Sequence, residues 1–88
     1  MEWRLLPGGE LVRQGLKDLA RGAETVPSLV VSIGAPRLRR LGLEVSDRAF
    51  SDPEHRLYEK LAEENPDSAH SRYNALIRRL VSFERCAA

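Results

Sequence analysis

The sequence predicts an all-α fold: a small bundle of about four helices plus a short helical turn, ending in an antiparallel helical hairpin. Three observations carry that expectation. Apolar residues recur at helical three- and four-residue spacing in separate stretches, most strongly after residue 68. Glycine or proline punctuates those stretches at Gly22, Gly34, Gly42 and Pro66. No strand repeat, heptad array or low-complexity tract competes with them. Eighty-eight residues make one domain, 1–88, close to the lower limit for a chain that folds without staples.

Taken in order, Met1–Leu6 reads as a short strand or extended arm anchored by Trp3, and Pro7-Gly8-Gly9 as a turn. A first helix is expected from about Glu10 to Arg21, with Leu11, Val12, Leu16, Leu19 and Ala20 on one face and Gly22 as its stop. Gly15 inside it forfeits roughly 1 kcal/mol of helix propensity against alanine, which predicts close approach of another backbone. Residues 26–34 carry two patterns. Val26, Leu29, Val30 and Ile33 follow a helix face, with Thr25 as N-cap and Pro27 in the first turn. The β-branched pair Val30-Val31 supports a strand, and helix is the favoured reading. Gly34 is expected to end it, leaving residues 36–42 as a short helical turn closed by Gly42.

Residues 43–50 read as a connecting loop. Ser51-Asp52-Pro53-Glu54 has the spacing of a capping box and opens a helix to about Glu64, burying Leu57, Tyr58, Leu61 and Ala62. Asn65-Pro66 stops it, and Asp67 or Ser68 caps the last helix. That helix is expected to bury Ala69, Tyr73, Leu76, Ile77, Leu80, Val81 and Phe83. The short link makes the last two helices a hairpin.

Charge is unevenly laid out although the net value is only +1. Residues 49–67 hold six acids against two bases, and residues 68–88 hold four arginines against one acid. On a helical wheel the arginines form two rows, Arg72 with Arg79 and Arg78 with Arg85. They frame a strip of small residues, Ser71, Ala75, Ser82 and Cys86. Such a strip can receive another helix, so Arg72, Ala75, Arg78, Arg79, Ser82 and Arg85 form the candidate interface. Glu59, Glu63 and Glu64 of the preceding helix are expected to neutralise part of the arginine charge.

Two weaker patterns remain. The spacing D-x-x-H-x-x-Y-x-x-L occurs twice, at Asp52, His55, Tyr58, Leu61 and at Asp67, His70, Tyr73, Leu76. Aspartate and histidine are common metal ligands, but the two pairs start antiparallel helices about 18 Å long, so they cannot pool into one site. Helix-terminal and core roles account for these residues, with His70 expected near the apolar face. His70, Tyr73 and Asn74 stand as a candidate polar site for acid/base chemistry. No catalytic, cofactor-binding or metal-ligating set is assigned. The second pattern is Ser32-Ile33-Gly34-Ala35-Pro36-Arg37-Leu38-Arg39-Arg40-Leu41. It resembles the helix-hairpin-helix element of DNA-repair and recombination proteins, with Ile33, Gly34 and Leu41 matching its pattern. Ser32 replaces the first glycine and Leu38 the small alanine. The resemblance implies a hairpin whose backbone N–H groups hold a phosphate, assisted by Arg37, Arg39 and Arg40.

The sequence thus points to a small helical binding or interaction protein without catalysis of its own, acting as a homodimer or with another protein. Nucleic-acid backbone binding through residues 32–41 is the alternative. No apolar run approaches the roughly 20 residues that span a bilayer. An acid at position 2 and the break after Leu6 speak against a secretory leader. With the lone Cys86, these predict a cytoplasmic protein without membrane partners.

Overall fold

The computed structural model describes residues 3–88. Four helices follow a 3₁₀ turn at Trp3–Leu5: α1 (Gly9–Ala20), α2 (Val26–Arg40), α3 (Pro53–Glu64) and α4 (Ala69–Ala87). No strand occurs among the described residues. The expected strand or arm at the start is instead this single turn, and its Met1 and Glu2 lie outside the described residues. The radius of gyration, 12.3 Å, equals the roughly 12 Å expected of one compact body this long.

The main departure from expectation is α2. It does not end at Gly34 but runs unbroken to Arg40, with Pro36 inside it. A proline in a helix interior costs about 3 kcal/mol, so something must hold the helix through it. Packing does: α2 is the central element, in contact with α1, α3 and α4. Leu29, Val30, Val31 and, beyond the proline, Leu38 are all fully buried. A break at Gly34 would take Leu38 out of the core. Because α2 is covered on several sides, its apolar residues wrap around it, which is why a strand reading was open on sequence. The helix-hairpin-helix expectation fails here as well. Residues 32–40 form continuous helix, so no hairpin turn presents free N–H groups to a phosphate.

Gly15 behaves as predicted. A Cβ there would overlap the Pro27 carbonyl oxygen and Val31 Cγ2, so α1 and α2 meet at backbone distance. The predicted N-cap at Thr25 also forms, and the capping box of the chain lies there. Thr25 Oγ1 accepts from the Ser28 N–H at 3.2 Å, and Ser28 Oγ accepts from the Thr25 N–H at 2.8 Å. The box expected at Ser51–Glu54 does not form. Asp52, with φ 49°, occupies the N-cap position without a side-chain cap bond. Pro53 disfavours right-handed helical backbone in the residue before it, so the helix starts one position too late for Ser51 to cap it.

Residues 65–68 join α3 to α4, and the two helices pack together. The Asp67 N–H bonds Asn65 Oδ1 at 3.1 Å, fixing the turn. Ser68 holds the N-cap position of α4, but its hydroxyl reaches back to the Asn65 carbonyl rather than into the helix. Trp3 is anchored as expected, edge-on to Phe83 with ring centroids 5.9 Å apart. Ser32 ties the long 41–52 connection to α2 by accepting from the Phe50 N–H at 3.1 Å. Among the described residues no helix is long and apolar enough to cross a membrane.

Candidate interaction surface

The apolar arc of α4 is wider than the bundle covers. Ala69, Leu80 and Phe83 are buried, but Tyr73, Leu76, Ile77 and Val81 are only half-buried. This corrects the expectation that all seven lie inside. Tyr73 and Leu76 still pack on the core, whereas Ile77 and Val81 lie outside the set of side chains that do. Both line a cleft of about 340 Å³ between α2 and α4, with Ile33 and Pro36 across from them. Gly34 sits behind it, where a Cβ would lie 2.9 Å from Leu80 Cδ1, so the Leu80 side chain would have to shift. The cleft continues toward the chain end as a second one of about 310 Å³, lined by Arg37, Arg40, Leu41, Glu84 and Arg85.

Three guanidiniums therefore rim one end of this groove. Arg37 lies 3.6 Å from Glu84, a carboxylate only 8% exposed. Arg40 turns its Nε to the Pro36 carbonyl of its own helix at 3.4 Å. Arg85 is exposed and has no acidic partner among the described residues. The third arginine of the suspected phosphate-binding trio is separated from the others. Arg39 donates to the Ser46 carbonyl oxygen at 2.8 Å and lines a different depression with Val45 and Arg48.

At the other end of the α4 strip lies an aromatic pair. Tyr73 packs against Tyr58 of α3 with ring centroids 5.8 Å apart, so the repeated D-x-x-H-x-x-Y-x-x-L pattern brings its two tyrosines together. Burial pushes the Tyr73 phenol pKa up, and the nearby carboxylate of Glu54 adds to that. Tyr58 keeps 39% of its surface exposed. The wheel places Tyr73, Ile77, Val81 and Arg85 in one i, i+4 series along a single side of α4.

The remaining predicted residues distribute as follows. Arg72 pairs with Glu64 at 3.0 Å, the one arginine of α4 neutralised by the acidic helix as expected. Glu59 instead faces His55 at 3.1 Å. Ala75, Arg78, Arg79 and Ser82 are exposed, as are Ser71 and Cys86, so the small-residue strip is open to solvent. Of the polar trio, the Asn74 amide lies 3.2 Å from His70 Nε2. His70 itself is exposed, contrary to its expected place near the apolar face, and the Tyr73 ring turns to Tyr58.

Sequence reading missed two buried acids. Asp18 is 4% exposed at the end of α1 and receives three side-chain donors: Thr25 Oγ1 at 2.7 Å, Arg21 at 2.6 Å and Gln14 at 2.9 Å. The Thr25 hydroxyl above all holds the carboxyl below its usual range, against a burial that works the other way. Glu84 is the other. Elsewhere, Trp3, Leu16, Leu41, Leu43 and Ala87 line a broad apolar depression of about 570 Å³ with Glu44 at its edge.

Comparison with protein-family models, with curated proteins and with solved structures finds no match to this chain.

Proposed function

We propose that this chain is a small helical interaction protein that works by self-association through the outer face of α4 and the adjoining α2–α4 groove. The observation that supports this reading is the uncovered apolar strip at Ile77 and Val81, beyond what the monomer buries. A chain this short gains stability by covering such a strip with a second subunit. Arg85, and Arg78 beside it, border both this strip and the small-residue channel through Ala75 and Ser82, so the sequence-derived interface adjoins the same surface. The lone exposed thiol of Cys86 suits a reducing cytoplasm.

Sedimentation velocity tests the reading. Wild-type protein is expected to be dimeric at tens of micromolar, about −6 to −7 kcal/mol of association. Val81→Asp is expected to be monomeric with unchanged helical circular dichroism, because the side chain is half-exposed. A wild-type monomer at about 100 µM overturns self-association. The second reading is nucleic-acid backbone binding, favoured by the gathering of Arg37, Arg40 and Arg85 at one groove end. It predicts a gel shift at low salt that weakens steeply as salt rises. No shift with duplex DNA or RNA at about 50 mM salt removes it.

A further inference from the structure

Glu84 is buried by its place on α4 rather than by its partners. It falls inside the apolar arc of the helix and is 8% exposed. Facing it, α2 carries Gly34, where an added Cβ would come within 3.1 Å of Glu84 Oε2, so a missing side chain makes room for the carboxylate. Among the described residues its one ion pair is with Arg37 at 3.6 Å, and its carboxylate accepts no hydrogen bond. The oxygens are not sealed off, because among those residues every fully buried side-chain oxygen has a hydrogen-bond partner. Glu84 therefore opens to the groove, and it lines both of the groove's clefts. A carboxylate withdrawn from water without donors is costly, and a ligand that brings donors offsets that cost.

The neighbours of Glu84 determine which ligand fits. Arg37 and Arg40 are, like Glu84, common to both clefts. Arg40 gives its Nε to the Pro36 carbonyl and has no acidic partner among the described residues; nor has Arg85, which joins it in the cleft toward the chain end. On the other side of this junction the lining is apolar, with Ile33, Ile77 and Leu80. We infer that the junction binds a free α-amino acid with an apolar side chain. Its ammonium sits on the Glu84 carboxylate, its carboxylate on Arg40 and Arg85, and its side chain in the cleft lined by Ile33, Ile77 and Leu80. An α-amino acid carries these three complementary groups on a single carbon, and both of its ionic contacts are charge-assisted hydrogen bonds. An anion alone would leave Glu84 without a donor and set like charge beside it. A cation alone would leave Arg40 and Arg85 unmatched. The apolar cleft, about 340 Å³, lies at the small end of ligand pockets, as a small ligand requires. The site is complete within one chain and needs no second subunit.

Titration calorimetry with L-leucine as the probe tests the site. Wild-type protein is expected to bind it with a Kd at or below about 1 mM. N-acetyl-leucine lacks the ammonium and leucinamide lacks the carboxylate, so each is expected to bind at least about tenfold more weakly. Glu84→Gln and Arg40→Gln are expected to keep the helical circular dichroism of wild type and to weaken leucine binding by at least about tenfold. No leucine binding at about 10 mM overturns the site. So does either analogue binding as tightly as leucine, or wild-type affinity in a folded Glu84→Gln protein. The analogues need no variant, so they decide the question even where a substitution prevents folding. A monomeric wild type that binds leucine removes self-association and leaves this site standing; a dimer that does not bind it does the reverse.

Discussion

Two buried carboxylates, one beside the start of α2 and one beside its last turns, are treated very differently. Asp18, in the last turn of α1, is surrounded by donors: a hydroxyl, an amide and a guanidinium, all within 2.9 Å. Glu84, between α2 and α4, is nearly as buried, yet its ion pair is a guanidinium 3.6 Å away that is itself 68% exposed. The difference lies in how each region satisfies its own polar groups. The α1–α2 turn is closed internally, and its polar groups are satisfied by one another. The α2–α4 side borders an open groove, and its charges are only loosely matched within the chain. A buried acid stabilises a fold when donors converge on it and contributes little when they do not.

The largest effect that would sharpen this contrast is Asp18→Ala. It removes three charge-assisted hydrogen bonds and leaves the Thr25 hydroxyl without its acceptor, so a loss of about 3 kcal/mol is expected in urea unfolding. A loss below about 1 kcal/mol would mean the network is ornamental. Thr25→Val comes next at about 2 kcal/mol, because one hydroxyl both caps α2 and donates to Asp18. Acid unfolding gives a third view. The Asp18 carboxyl titrates lower in the folded state than in the unfolded chain. Its stabilisation is therefore fully present above the unfolded value and is lost as pH falls below about 4 toward the folded one. Asp18→Asn is expected to flatten that part of the stability–pH curve; an unchanged slope would remove Asp18 as its source. The smallest effect is expected at Glu84→Gln, within about 0.5 kcal/mol of wild type, since the Arg37 it abandons stays in solvent. A loss above about 2 kcal/mol there would erase the distinction between the two acids.

Much of the fold was legible because local chemistry and packing agreed. Gly22 ends α1 where expected, Thr25 caps α2, and the missing side chain of Gly15 marks the α1–α2 contact. Legibility stopped where tertiary packing outweighed local signals. Gly34 and Pro36 are helix breakers by propensity, but a central helix with partners on several sides stays helical through them. The Ser51–Glu54 pattern had the right spacing and the wrong neighbour, since Pro53 displaces the start of α3. Asp18 had a signal that a wheel of α1 would have shown: it falls about 20° from Leu11, on the buried face. Glu84 likewise falls about 20° from Tyr73, inside the apolar arc of α4. Counted as charge along the chain, both acids look like surface; placed around a helix, both fall inside. The groove escaped for a different reason. An apolar arc says which side of a helix avoids water, not how much of that side its own bundle has partners to cover.

The contact between Trp3 and Phe83 has one more consequence. The chain holds a single tryptophan, and it sits half-buried against a fully buried ring of α4. Its emission is thus an internal optical gauge of whether the first turn is seated on the last helix. A red shift that precedes loss of helical signal during unfolding would show the two termini parting while the three-helix contacts of α2 persist.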